Sequence, residues 1–144
     1  MENLRSKGVT KMDESIFKKM RFKEGMKALV IGAPDDYPKI PSGEIVTKKA
    51  DFAHLFVESK SELEKSFSEV ADALVSDGLF WVSYPKSAKK GEHDINRDSL
   101  WETVIPLGFH PVSQVSLGDK WSAVRVRENV AGVEYVHPSK KKKV

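Results

Sequence analysis

The stretch KALVIGAPDDYP, residues 27–38, has the residue types of a loop that could bind a ligand. An apolar run ends at Gly32, and an acidic segment that contains proline follows it. A dinucleotide-binding turn requires G-x-G-x-x-G, because each glycine lets the backbone approach the phosphates or lets the helix approach the strand. Here Pro34 has no N–H to donate, and Asp35 and Asp36 would repel a pyrophosphate. The loop is therefore poorly suited to binding phosphate.

A second group of polar residues follows the apolar segment LFWVSYP, residues 79–85. Tyr84, Lys86 and Ser87 place a phenol, an ammonium group and a hydroxyl at the start of one loop. Ligands of open α/β sheets bind beyond the carboxyl ends of the strands, and this loop leaves that edge. We expect it to hold a small anion or an acidic partner. The alternative is a solvated basic loop that leads into the next helix.

Metal and nucleophile chemistry have little support in the histidines and serines. None of the four histidines, at positions 54, 93, 110 and 137, has a second histidine at i+2 or i+4. A metal site needs three or four converging ligands, and only His93 has acidic neighbours. No Gly-x-Ser-x-Gly motif occurs, and the chain has no cysteine. We predict no metal site and no catalytic residue, and we expect His54 to be a core or sheet residue.

Apolar segments define the strands that would position these loops. Six segments have strand patterns: residues 27–31, 44–47, 52–57, 79–84, 112–117 and 121–127. The first is continuously apolar, which is typical of a parallel strand covered on both faces. The second is short, which indicates a position near a sheet edge. The last two alternate with period two around Gly118, which predicts an antiparallel hairpin.

Three segments have the periodicity of amphipathic helices: residues 13–20, 61–76 and about 96–107. The second is the clearest, because its apolar residues recur at helical spacing from Leu63 to Val75. Two capping boxes are available at its start: Ser59 with Glu62, or Ser61 with Glu64. We predict Gly78 as its C-cap. The third helix has two candidate caps, Asp94 and Asn96.

The order of these elements predicts the fold class and the domain organisation. Strands that alternate with helices imply right-handed crossovers and a mainly parallel sheet. We predict a three-layer α/β fold whose mainly parallel sheet is extended by a C-terminal antiparallel hairpin. Residues 1–12 would be a flexible N-terminal segment, residues 13–127 a single α/β domain, and residues 128–144 an extension with a basic tail.

Four segments resemble a family of small bacterial proteins of unknown function: FKEGMKALVIGAPDDY, DFAHLFVESKSELEKSFSEVADAL, GLFWVSYPK and DKWSAVRVR. Members of that family typically have a strand that ends in Gly-Ala-Pro, a Trp-Val-Ser-Trp-Pro-Lys strand end and an Asp-x-x-Trp-Ser hairpin. The similarity spans roughly residues 20–127, with Glu24 in place of a proline and Tyr84 in place of a tryptophan. The element order also resembles a reduced class I methyltransferase fold, shortened around its second and third strands.

The methyltransferase resemblance implies a place for a cofactor. The candidate cofactor-binding residues are Gly32, Ala33, Pro34 and Asp35. S-adenosylmethionine has no phosphate for the aspartates to repel, but its ribose hydroxyls need an acid after the second strand. Lys48 and Lys49 occupy that region, with Asp51 beyond them. We therefore expect no cofactor, and S-adenosylmethionine is the alternative.

The same resemblance places Glu58 in a region where methyltransferases have polar residues on the substrate side, although a charge at the entry to a helix explains it equally well. Trp121 starts the last strand, and core packing is its alternative role. The candidate ligand or partner residues are Glu58, Tyr84, Lys86, Ser87 and Trp121.

The net charge of +3 is located at the two ends of the chain. Between them, residues 13–127 carry 17 basic and 18 acidic side chains, which weakens the case for a basic groove in the domain. The tail residues Lys140, Lys141, Lys142 and Lys143 predict a weak, salt-dependent contact with nucleic acid. The chain has no apolar run long enough to span a bilayer and no secretory h-region, so we expect a cytoplasmic protein without membrane contact.

The sequence is compatible with three functions. The leading hypothesis is a non-catalytic binding or regulatory module that recognises an unknown protein or small molecule. The first alternative is a minimal methyltransferase that uses S-adenosylmethionine. The second is a protein associated with nucleic acid through its basic tail.

Overall fold

The computed structural model describes residues 12–41, 44–86 and 94–135 of the 144-residue chain. Its helices are α1 (Ser15–Lys19), α2 (Lys60–Ala73) and α3 (Arg97–Val104). Its strands are β1 (Lys27–Ile31), β2 (Glu44–Ile45), β3 (Ala50–Phe56), β4 (Leu74–Pro85), β5 (Phe109–Ser116) and β6 (Trp121–Glu128). Among the described residues, no helix has both the length and the apolar character needed to cross a bilayer.

The six strands form one mixed sheet in the order β2-β1-β3-β4-β6-β5. The first four strands in this order are parallel, and β6 and β5 join them as an antiparallel pair. The two-residue β2 lies at the edge, as its brevity predicts. The predicted α/β class, the mainly parallel sheet and the C-terminal hairpin are therefore confirmed.

Buried apolar side chains cover both faces of the sheet. On one face, α2 and α3 pack their apolar sides over the strands through residues such as Phe67 and Leu100. On the other face, α1 contributes Ile16 and Phe17 to a second cluster. The neighbouring β1 residues Ala28 and Leu29 point into opposite clusters, which confirms that this strand is covered on both sides.

The boundary between α2 and β4 differs from the prediction. The helix ends at Ala73, and Leu74 pairs with Ala50 of β3, so the last apolar residues of the helical pattern belong to a strand. Sheet pairing over a long sequence distance outweighs local helical periodicity here. Asp77 takes the positive φ of 64°, and a Cβ atom on Gly78 would lie 2.8 Å from Cγ of Leu74. The prediction of Gly78 as a C-cap is wrong, because Gly78 permits close packing instead.

Side-chain caps fix the starts of α2 and α3. The Ser59 hydroxyl accepts a hydrogen bond from the Glu62 N–H at 3.1 Å, which selects the first of the two predicted boxes. The Glu62 carboxylate accepts from the N–H of Glu58, one residue earlier than a capping box requires. Asn96 caps α3 and forms a complete capping box with Ser99.

The segments at both ends of the described chain contact the sheet domain. Met12 is buried in the cluster that α1 covers. After β6, the Asn129 N–H donates to the Gly108 carbonyl at 2.8 Å, and the Tyr135 ring stacks on His110 with 4.0 Å between centroids. Several residues singled out in the sequence lie outside the described residues: Ser87, His93, His137 and Lys140 to Lys143.

Candidate functional site

A cleft of about 500 Å³ lies at the carboxyl ends of the central strands. The loop after β1, the end of β3, the end of β4 and the turn between β5 and β6 form its walls. Its lining residues are Pro34, Asp36, Glu58, Pro85, Lys86, Asp119, Lys120 and Trp121. We call it the edge cleft. Its volume and its position are those of a small-molecule site in an open α/β sheet.

The edge cleft combines charges of both signs with an aromatic wall. Asp36 and Glu58 bring carboxylates from the loops after β1 and β3, and Lys120 brings an ammonium group from the hairpin turn. The half-buried indole of Trp121 is held by an edge-to-face contact with Phe56, with 4.9 Å between ring centroids. Such a surface can pair with both charges of a zwitterion and cover an apolar part of the same molecule.

Lys86 joins the end of β4 to the hairpin turn. Its Nζ donates to the Ser116 Oγ and to the Gly118 carbonyl, each at 2.7 Å, and its backbone N–H donates to the Lys120 carbonyl at 2.8 Å. Two of the three Nζ donors therefore have partners within the protein. The side chain fixes a wall of the edge cleft and keeps one donor for a ligand.

The turn at Gly32 has a structural reason for its glycine. Gly32 has a φ of 76°, and a Cβ atom there would lie 2.9 Å from the Phe56 carbonyl oxygen. Any other residue would thus combine an unfavourable backbone conformation with a clash against β3. Of the four candidate cofactor residues, Pro34 lines the edge cleft, whereas Ala33 and Asp35 are exposed beside it.

A polar chain, partly buried, holds the β1 loop against the sheet, and no motif in the sequence indicates it. The Tyr37 hydroxyl lies 3.0 Å from Nδ1 of His54, whose Nε2 lies 2.7 Å from the Ser83 Oγ. His54 is fully buried, which confirms that it is a sheet residue, and burial lowers its pKa to about 3. Burial also raises the pKa of Tyr37. The chain therefore carries no charge at neutral pH, and it fixes the loop that supplies Pro34 and Asp36.

Tyr84 lies away from the edge cleft. Successive residues of a strand point to opposite faces, so Ser83 points toward His54 and Tyr84 points into the cluster under α2 and α3. The Tyr84 hydroxyl accepts a hydrogen bond from Nε2 of Gln114 at 3.3 Å, and burial raises its pKa. The cleft thus brings together Pro34, Glu58, Lys86 and Trp121 of the sequence candidates.

The residues after β2 do not suit S-adenosylmethionine bound in the way expected from the methyltransferase resemblance. The ribose hydroxyls need a carboxylate at the end of that strand, where Lys48 and Lys49 are exposed instead. The nearest carboxylate, Asp51, accepts the N–H of Lys27 at 2.9 Å, which places it at the opposite end of β1. For metals, the described ranges contain no group of three or more His, Asp or Glu side chains arranged to hold an ion.

Comparison of the fold with solved structures identifies it as methyltransferase-like. The chain is similar to a SAM-dependent methyltransferase from Aquifex aeolicus, with a TM-score of 0.58 and 12% identity over 78% of this chain and 87% of that one. It is also similar to the 1,6-didemethyltoxoflavin-N1-methyltransferase of Burkholderia thailandensis, with a TM-score of 0.56 and 13% identity over 81% and 76% of the chains.

The cyclase SpnF shares the fold as well, with a TM-score of 0.54 and 10% identity over 82% of this chain and 80% of that one. The fold therefore occurs in proteins named for different reactions, and the likeness defines the architecture alone. No protein-family model matches the chain, and no curated protein matches its sequence.

Proposed function

We propose that the protein is a non-catalytic binding module of methyltransferase-like fold that takes a small zwitterionic molecule in its edge cleft. The observation that carries this proposal is the cleft itself. It brings the carboxylates of Asp36, Glu58 and Asp119 together with Lys86, just after β4, and Lys120 of the hairpin turn, beside the indole of Trp121. A free amino acid or a similar molecule has the matching charges and is small enough to enter the cleft.

Two further observations support binding without methyl transfer. The β1 loop is tied to the sheet through Tyr37 and His54, and Gly32 packs directly against the β3 backbone. The position that would hold the ribose of S-adenosylmethionine carries lysines, as described above. The residues present thus suit a ligand at the β3, β4 and hairpin side of the sheet better than a nucleoside on the β2 side.

Nuclear magnetic resonance of the ¹⁵N-labelled protein tests this proposal. Free amino acids, methionine and phenylalanine among them, should shift the indole N–H signal of Trp121 saturably and leave that of the buried Trp81 in place. Glu58→Gln should weaken the binding about tenfold, since it removes one charged hydrogen-bond partner. The matched control is Glu64→Gln, an exposed position on α2 away from the cleft. The proposal fails if no amino acid moves the Trp121 signal.

A minimal methyltransferase is the second candidate, and the fold comparisons favour it. Two of the similar structures are named as methyltransferases, one of them with S-adenosylhomocysteine bound. This candidate requires that the adenosyl group of the cofactor contribute to binding. The two functions therefore predict different responses to ligands with and without that group.

A further inference from the structure

One charged side chain has a buried donor without a partner. Nε of Arg125 is the single buried side-chain nitrogen or oxygen atom, within the described residues, that makes no hydrogen bond. Buried donors of folded proteins are almost always paired, and a guanidinium keeps its charge at every physiological pH. The charge of the Arg125 guanidinium is therefore incompletely paired within the described residues.

Two other arginines lie on the same face of the sheet. Arg125 of β6 pairs with Trp81 of β4, and the Trp81 indole donates to the Met20 carbonyl at 3.0 Å. The chain just after α1 therefore passes close to Arg125, and its next residue is Arg21. Arg127 follows two positions along β6, so its side chain points to the same face. The guanidinium groups of three arginines, from two separate segments of the chain, therefore lie close enough to interact.

Positive charge at this place is only partly balanced. Arg127 forms an ion pair with Asp77 at 3.1 Å, but both side chains are largely exposed, so solvent weakens the pair. Burial, followed by the charges of Arg127 and Arg21, lowers the pKa of the Arg125 guanidinium, while Asp77 acts in the opposite direction. An anion at the terminal N–H groups of these side chains would relieve the repulsion, while the Arg125 Nε stays closed to solvent.

We propose that Arg125, with Arg21 and Arg127, forms a binding site for a phosphate-type oxyanion. The two terminal N–H groups of one guanidinium form a planar fork that matches two oxygens of a phosphate. The site is separate from the edge cleft, because Arg125 lies four residues beyond Trp121 along β6, or about 13 Å. It therefore stands independently of the function proposed for the cleft.

The Nε–H resonance of Arg125 reports directly on this site. Inorganic phosphate, titrated at constant ionic strength with chloride, should shift that resonance saturably. Arg125→Lys keeps a charge but loses the fork, and it should weaken phosphate binding about tenfold or more, as for the loss of a charge-assisted hydrogen bond; its affinity is read from the thermal shift.

Arg21→Gly provides a variant that should fold well, because Arg21 has a φ of 66°, which glycine adopts without strain. It should weaken phosphate binding while the melting temperature without phosphate stays the same or rises. Lys65→Gln, at an exposed position of α2, is the control for a general loss of charge and should bind as the native protein does.

Three results would overturn the proposal: no saturable shift with phosphate, equal binding by Arg21→Gly and the native protein, or acetate binding as tightly as phosphate. A second titration with glycerol phosphate distinguishes the two sources of the oxyanion. Tighter binding of the ester assigns the site to a phosphorylated metabolite, and tighter binding of inorganic phosphate assigns it to the free ion.

Discussion

At the scale of single residues, His54 determines how the β1 loop lies on the sheet. The fully buried ring connects the Tyr37 hydroxyl of the loop with the Ser83 hydroxyl of β4. Because burial lowers its pKa to about 3, the imidazole is neutral at pH 7, so one ring nitrogen donates and the other accepts. A proton added to this ring would place an unpaired charge in the core and remove an acceptor from the chain of hydrogen bonds.

The pH dependence of stability should show this buried imidazole. Its pKa is about 3 in the folded protein against an ordinary 6.5, so below pH 6.5 the unfolded chain binds a proton that the folded protein does not. The contribution of this group to the free energy of unfolding is present in full above pH 6.5 and is lost as the pH falls toward 3. The free energy of unfolding in urea should fall by about 2 kcal/mol more between pH 7 and pH 5 in the native protein than in His54→Gln. Equal pH dependence of the two proteins would contradict this account.

At the scale of elements, the hairpin turn between β5 and β6 is a wall of the edge cleft because side chains from elsewhere hold it. Lys86 reaches Ser116 and Gly118, and the Lys19 Nζ donates to the Ser116 carbonyl at 2.9 Å. The end of β4, the end of α1 and the turn thus form one connected unit. The position of Trp121 in the cleft depends on these contacts.

Lys86→Met tests that connection, because it keeps the length of the side chain and removes the donors. We expect faster amide hydrogen exchange at residues 117–120 and a stability loss of about 1 kcal/mol, since the lost bonds are exposed. Lys65→Met at an exposed position of α2 is the control and should leave exchange in the turn unchanged. Unchanged exchange in Lys86→Met would show that Lys86 does not hold the turn.

The elements also show what the sequence could predict. The bounds of β1 follow from its apolar run, because such a run has one stable place, in the middle of a parallel sheet. The start of β4 did not follow, because Leu74 and Val75 suit a helix locally and only their pairing with β3 makes them a strand. Local patterns predict an element where no distant partner competes for its residues.

The same condition decides which residues of the candidate site could be predicted from the sequence. Glu58, Lys86 and Trp121 could be assigned to one edge from topology, since each lies at or just beyond the end of a strand. The roles of Tyr84 and Ser83 could not, because a one-residue difference in strand register exchanges the two faces of the sheet. The contact between Tyr37 and His54 depends on how a loop folds back, which no spacing in the sequence reports.

At the scale of the whole molecule, the fold is methyltransferase-like and the edge cleft lies at the carboxyl ends of its central strands. The edge cleft faces β3, β4 and the hairpin, whereas the residues after β2 offer lysines where a nucleoside would need a carboxylate. The central claim is therefore that the protein recognises a small zwitterion and gains nothing from an adenosyl group attached to it.

Calorimetric titration with methionine and with S-adenosylhomocysteine measures that claim most directly, because both carry an amino acid and only the second carries adenosine. The account predicts that the two dissociation constants agree within a few fold and that Glu58→Gln weakens both. Binding of S-adenosylhomocysteine more than about a hundredfold tighter, nearly 3 kcal/mol of additional affinity, would contradict the account and favour a protein that binds the methyltransferase cofactor.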